Sequence, residues 1–196
     1  MAHLIQPPTE MFPTLSDWQS VGINDAVFKA VSSDGETIYV RSEDGSASLL
    51  RRLERISEVP APRVIDRRHG WLLLAALPGL PLNDDRWLAR EGDAMAILAD
   101  ALMTLDRNGL THGDMCLPNV LGDLEQGGLS GIVDWRDTGR FERIIDVASA
   151  VWSCTYNGYS ANAPTAVLRA IGWPRADAAE VERLSRTWID LAGPAD

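Results

Sequence analysis

Asp114 and Asn119, in the string His112-Gly113-Asp114-Met115-Cys116-Leu117-Pro118-Asn119, and Asp134, at the end of the apolar run 129–133, are the side chains whose types and spacing best suit chemistry. Phosphoryl transfer from a nucleotide needs a carboxylate to take the proton of an acceptor hydroxyl, and hard oxygen ligands to hold magnesium against the phosphates. Asp114 suits the first task, Asn119 and Asp134 the second. An Asp-x4-Asn pair by itself occurs often by chance. Its specificity comes from His112-Gly113 before it and from an apolar strand that ends in Asp134. The competing reading makes all of these turn and cap residues only.

Three such groups can share one cleft only if a loop, a hairpin and a strand end bring them together. Gln126-Gly127-Gly128 supplies the turn before the strand that ends at Asp134. Upstream, residues 21–41 alternate apolar and polar positions around Val27, Phe28, Ile38, Tyr39 and Val40, with Ser32-Ser33-Asp34-Gly35 between them, which predicts a β-hairpin. Leu49, Leu50, Leu53 and Ile56 have helical spacing, and Pro60 and Pro62 stop that helix. A further apolar strand is predicted over 71–77. Residues 1–79 therefore read as a small strand-rich lobe with one helix, and Pro78-Gly79 punctuates the chain. In residues 80–196 helices dominate. Met95, Ile97, Leu98, Leu102 and Leu105 form one apolar face ending near Asn108-Gly109, and later helices are predicted over 145–152, 163–171 and 178–191.

The chain has 196 residues, and a chain of this size buries roughly 70% of its unfolded surface without an external staple. Its 18 basic and 28 acidic residues give a net charge of -10, which argues against nucleic-acid or anionic-membrane partners and suits a cationic small molecule. Cys116 and Cys154 are too few for a disulfide framework, and no apolar run approaches the ~20 residues of a membrane span. The start of the chain lacks the pattern of a secretory signal. A soluble, cytoplasmic protein is expected. Lys29 is the only lysine.

The string around Asp114, together with Gly131-Ile132-Val133-Asp134-Trp135, resembles the aminoglycoside phosphotransferase family. Cys116-Leu117-Pro118-Asn119 looks particularly like the kanamycin-type enzymes, more than like choline or homoserine kinases of the same superfamily. The resemblance spans most of the chain and implies an α+β, two-lobed protein-kinase-like fold, with a strand-rich N-terminal lobe and a helical C-terminal lobe. It implies Asp114 as catalytic base, His112 as a loop-orienting residue, Asn119 and Asp134 as magnesium ligands, and ATP or GTP as phosphate donor. Asp146 matches the family aspartate that braces the catalytic loop through backbone N–H groups. It also reads simply as an acid at a helix N-terminus, stabilised by the macrodipole. Residues 21–28, including Asn24, resemble the phosphate-covering turn and the strand after it. The run 71–79 resembles the hinge strand, whose backbone near Ala76 and Leu77 would hydrogen-bond the nucleobase.

Two departures qualify the resemblance. The family has a lysine near the end of the 38–40 strand to grip the phosphates, with a glutamate on the next helix to orient it. This chain has Arg41, and no glutamate near Leu49. Arginine binds phosphate through a planar fork, unlike a point-charge ammonium. Arg41 is the first candidate for the grip, and Lys29, on the same strand face as Val27, the second. The other departure is length: residues 80–111 hold one helix where the family inserts more. The acceptor site is then shallow, completed by the C-terminal helices, or closed by a second subunit in a homodimer. Asp84, Asp85, Asp137 and Asp190 are candidate contacts to a cationic acceptor, each with solvated surface charge as its alternative. The expected activity is transfer of a nucleotide γ-phosphate to a hydroxyl of a small molecule, foremost an antibiotic, in resistance or self-protection. The alternatives are a ligand-binding pseudokinase, and a metabolic kinase for a sugar, nucleoside or amino alcohol.

Overall fold

The computed structural model describes residues 6–21, 27–56 and 58–193, which fall into two compact units. The first comprises the chain up to residue 57 together with 61–77, and the second comprises 58–60 and everything from Pro78 onward.

The first unit is built on an antiparallel sheet of β1 (Ser16–Ser20), β2 (Val27–Val31), β3 (Thr37–Ser42), β4 (Val64–Arg68) and β5 (Trp71–Ala75), in the order β1-β2-β3-β5-β4. Side chains alternate across a strand, so one face gathers Phe28, Ile38, Val40 and Leu73, which form a core with Phe12. Trp18 and Trp71 meet Phe28 at ring centroid distances of 6.2 and 6.0 Å. The register pairs Val27 with Arg41 and Lys29 with Tyr39, which sets Lys29 and Arg41 diagonally on the opposite face. His69 and Gly70 both have positive φ, 52° and 77°, as a tight two-residue hairpin between β4 and β5 requires. Helix α1 (Ala47–Leu53) buries Ala47, Leu50 and Leu53, three residues apart. Glu54, just beyond it, accepts the Val64 N–H and ties the helix end to β4.

The second unit has a three-stranded antiparallel sheet, β6 (Leu80–Pro81), β7 (Val120–Asp123) and β8 (Gly128–Ile132), in that order. Among the described residues five helices accompany it: α2 (Asp85–Leu88), α3 (Glu91–Arg107), α4 (Arg143–Tyr156), α5 (Ala163–Ala170) and α6 (Ala178–Ala192). The 17 residues of α3 span about 26 Å, and its buried face includes Met95, Ile97, Leu98, Leu102 and Leu105. α4 packs against α5 and α6, and is buried almost all round. Ile132 donates its N–H to Pro60 O, which explains why 58–60 belong with this unit. Tyr159 Oη donates to Leu82 O at 2.5 Å, and Leu82 N–H reaches Val120 O, so the segment after β6 is fixed from both sides. No helix among the described residues is long and apolar enough to cross a membrane.

Candidate active site

The segment 112–119 has no regular ladder of its own, so its backbone N–H groups must be satisfied otherwise. Helix α4 supplies most of the acceptors. It is apolar on most sides, yet carries Asp146, Ser149 and Ser153, all buried. Residues separated by three and seven positions share one helix face. Asp146 Oδ2 accepts from His112 N at 3.0 Å and Oδ1 from Gly113 N at 2.6 Å. Ser149 Oγ accepts from Met115 N at 2.8 Å, and Ser153 Oγ from Leu117 N at 2.9 Å. The other N–H groups are held within the loop: Asp114 N by His112 Nδ1, Cys116 N by Asp114 Oδ1, and Asn119 N by Cys116 O. Pro118 has none to satisfy. Met115 and Leu117 are fully buried, whereas Asp114 and Cys116 are partly exposed, the alternation of an extended chain, and Asn119 ends the 3-10 turn Leu117–Asn119 partly exposed as well.

Val133 joins this loop to the strand end. Its N–H donates to Asn119 O at 2.9 Å, and its carbonyl accepts from His112 Nε2 at 2.9 Å. The His112 tautomer with its proton on Nε2 satisfies both ring nitrogens, because Nδ1 then accepts the Asp114 N–H at 3.3 Å. The buried ring, edge-on to Trp135 at 4.9 Å, has no nitrogen left for a metal. The next residue, Asp134, has left-handed backbone, φ 62° and ψ 56°, which an aspartate tolerates better than most side chains. This turns the chain from β8 into the single 3-10 turn Trp135–Asp137 and leaves the Asp134 side chain 43% exposed, with Arg136 Nη2 3.7 Å from its Oδ1. Gly113 also has positive φ, 93°, and a Cβ there would stand 2.8 Å from Asp137 O and 2.9 Å from Asp137 Cβ. Only glycine fits where these two segments cross.

Asn119 Nδ2 donates to Asp114 O at 3.0 Å and to Asp114 Oδ2 at 3.1 Å. The amide nitrogen is thereby committed to the carboxylate, and Oδ1 is the atom that Asn119 can offer a cation. It and the Asp134 carboxylate are hard oxygens, the ligand type magnesium takes when phosphate oxygens and water complete the shell. Among the described residues no three His, Cys, Asp or Glu side chains converge as an all-protein metal cage. Burial lifts the Asp146 carboxyl above the ordinary carboxylate range, against the pull of the His112 and Gly113 N–H groups. Burial, reinforced by Asp114, likewise pushes the Cys116 thiol far up, so it is no thiolate nucleophile.

The structure thus brings together Asp114, Asn119, His112 and Asp146, and Val133 ties Asp134 to the same loop. Asp146 lies in the first turn of α4 as well, so both readings of it describe one geometry. Asp84 caps α2 and binds Arg86 through both oxygens, which holds its carboxyl down at about 2, and Asp85 is exposed in the same turn. Asp137 pairs with Arg140 at 2.7 Å. Asp190 is exposed on α6, beside an open depression of about 450 Å³ that is also lined by Glu182, Arg183 and Arg186. In the first unit, Arg41 is buried and bonded to Asp44 at 2.8 Å and to Ser46 Oγ at 2.5 Å, whereas Lys29 is half-buried. Ala76 N–H donates to Thr37 O at 3.4 Å, and Leu77 follows it. Asn24 lies outside the described residues. Sequence reasoning missed Val133, Ser149 and Ser153. Asp-x2-Ser-x3-Ser on one face of an apolar helix was the available signal for the last two.

The phosphotransferase enzyme family matches this chain over residues 24–182. No curated protein sequence matches it. Among solved structures, an aminoglycoside-3'-phosphotransferase of type VIII superposes with a TM-score of 0.70 at 21% identity, over 91% of this chain and 94% of that one. The aminoglycoside phosphotransferase APH(3'')-Id of Streptomyces rimosus, in complex with ADP and streptomycin, gives 0.63 at 18% identity, over 91% and 96%. A macrolide 2'-phosphotransferase of Brachybacterium faecium gives 0.55 at 16% identity, over 94% and 89%. The likeness to all three is one of fold.

Proposed function

Because the chain belongs to the phosphotransferase enzyme family, we propose that it transfers the γ-phosphate of ATP to a hydroxyl of a small molecule, with an aminoglycoside-like or other hydroxylated antibiotic as the leading acceptor class. The observation that carries this reading is the pairing of Asp114 with Asn119, fixed by α4 on one side and by Val133 on the other. Asp114 orients the acceptor hydroxyl and takes its proton as the oxygen attacks the γ-phosphorus. The bond from that phosphorus to the β-phosphate oxygen breaks, ADP leaves, and the proton passes to solvent. Asn119 and Asp134 would hold magnesium, which neutralises charge on the phosphates when bound. His112 keeps the loop in register through Val133. Support for ATP and for the acceptor class comes from the structural relatives, one a complex with ADP and streptomycin and one a ternary complex with ATP and streptomycin.

Incubation with Mg-ATP or Mg-GTP and a panel of hydroxylated antibiotics, read by mass spectrometry, should yield a product heavier by one phosphoryl group. Asp114→Asn should abolish it while sparing nucleotide binding; equal turnover in that variant would remove Asp114 from its role. A second reading, a ligand-binding protein without transfer, is favoured by the commitment of Arg41 to Asp44 and Ser46. Tight ligand binding untouched by Asp114→Asn or Asp134→Asn, with no phosphorylated product from any acceptor, would select it.

A further inference from the structure

We propose that Ser149 and Ser153 are positioning residues for phosphoryl transfer, a pair of neutral acceptors on α4 that set where the Asp114 carboxylate stands. This rests on Asp114 being the base, as proposed above. A buried hydroxyl is unfavourable inside an apolar helix unless it is hydrogen-bonded, and alanine, which α4 carries at 148 and 150, is the better helix former. What repays the two serines is the catalytic loop. The Ser149 hydroxyl donates to Asp146 O at 3.1 Å, which turns its lone pairs to Met115 N–H. Ser153 Oγ accepts both Leu117 N–H and the Asn157 amide, the latter at 2.9 Å from the helix C-terminus.

The spacing fits the task. Steps of three and four helical residues advance about 4.5 and 6 Å. Two residues of extended chain advance about 6.6 Å. Asp146, Ser149 and Ser153 can therefore meet the alternate N–H groups of Gly113, Met115 and Leu117, the longer aspartate side chain covering the shorter first step. Asp114 lies between Gly113 and Met115, and both of those N–H groups are fixed to α4. Its Cα is thus held from both sides. Neutral hydroxyls do this without adding negative charge beside Asp114 and a polyanionic nucleotide, which further carboxylates would do.

The test uses the full chain as Ser149→Ala, Ser153→Ala and the hydroxyl-restoring Ser149→Thr and Ser153→Thr. Two readouts are taken: steady-state kinetics, and hydrogen exchange at the individual amides of 112–119. The alanine variants should stay folded and keep KM for nucleotide within about twofold, while kcat falls by roughly ten- to a hundredfold, the size of effect that a misplacement of about 1 Å produces. Threonine should restore most of the rate. Exchange should quicken at Met115 or Leu117 and spread to Asp114 and Cys116, whose N–H bonds lie within the loop. Unchanged kcat overturns the proposal, as does a joint loss of kcat, nucleotide affinity and melting temperature that threonine does not rescue. If Ser149→Ala does not fold, the near-isosteric Ser149→Cys carries the same expectation with a smaller rate loss. A wild-type chain that phosphorylates no acceptor would sink the proposed function instead. The exchange pattern then decides this inference alone, and protection confined to its wild-type values at Asp114 and Cys116 overturns it.

Discussion

Gly113→Ala tests the crossing of the 112–119 loop with the turn after Asp134, and its cost can be worked from two separate terms. The φ of 93° costs an L-residue roughly 1–2 kcal/mol in any surroundings. The added Cβ would stand 2.8 Å from Asp137 O, 2.9 Å from Asp137 Cβ and 3.1 Å from its carbonyl carbon. Two of these atoms are backbone, so the turn itself must move, an overpacking cost of about 1–3 kcal/mol. Together the terms predict a loss of about 2–5 kcal/mol, a large share of the roughly 5–15 kcal/mol a domain has. For a chain of this size the melting midpoint should fall by about 4–20 °C. Gly127→Ala separates the terms: its φ is 71°, but nothing lies within 4 Å of the added Cβ, so only the first applies. Urea unfolding of both variants, with phosphoryl transfer measured on the folded fraction of each, gives the comparison. Gly113→Ala should also lose kcat, because the displaced peptide adjoins Asp114, whereas Gly127→Ala should not. Equal stability losses in the two variants would refute the close-contact argument, and full activity in a destabilised Gly113→Ala would refute its link to Asp114.

Asp146→Asn keeps one acceptor oxygen but turns an NH2 toward either the His112 or the Gly113 N–H; leaving that buried donor unmatched should cost about 1–3 kcal/mol in urea unfolding, with kcat falling alongside. Glu180, bonded first to Arg183 and then to Trp173 Nε1, has its carboxyl held down at about 2 from an ordinary 4.5. Its folded value lies below its unfolded one, so its contribution is complete above about pH 4.5 and is lost as the pH falls toward 2. Acid titration of stability should show that slope in the native chain and a shallower one in Glu180→Gln, and identical slopes would remove Glu180 from the acid transition.

What could be read from sequence, and what could not, divides on physical grounds. α3, α4 and α6 carry long amphipathic or apolar patterns, and each was legible because one residue type per turn reports burial. β1 and β4 were not anticipated. They are the two edges of the first sheet, and an edge strand need not be apolar. Val64–Arg68 places Asp66, Arg67 and Arg68 in a strand, three charged residues in a row that break any apolar alternation. Helix α2 is four residues long, below any periodicity. In the site, Asp114, Asn119 and Asp134 stood out because carboxylates and amides at that spacing have a chemistry of their own. Ser149 and Ser153 did not, since a serine on a helix acquires meaning only from the backbone it meets. Val133 contributes only its peptide groups, for which no side chain gives a signal.

The same division bears on the departure at Arg41. Among the described residues, the hydrogen bonds that fix Asp114, His112 and Asn119 come from within residues 112–146, through Asp146, the Val133 backbone and the loop's own His112, Asp114 and Cys116. None depends on which residue stands at position 41. The position of Asp114, the proposed base, is therefore set by the helix behind its loop, whichever residue would grip the phosphates. That helix carries the cost of two buried hydroxyls and a buried carboxylate whose pKa is raised by desolvation, and all three find their partners in the loop's N–H groups. Any use of the fold leaves those N–H groups in need of partners, and alanines in place of the two serines would strand the Met115 and Leu117 N–H groups at a cost of about 1–3 kcal/mol each. The polar face of α4 is thus what fixes the 112–119 loop, and through it the position of Asp114.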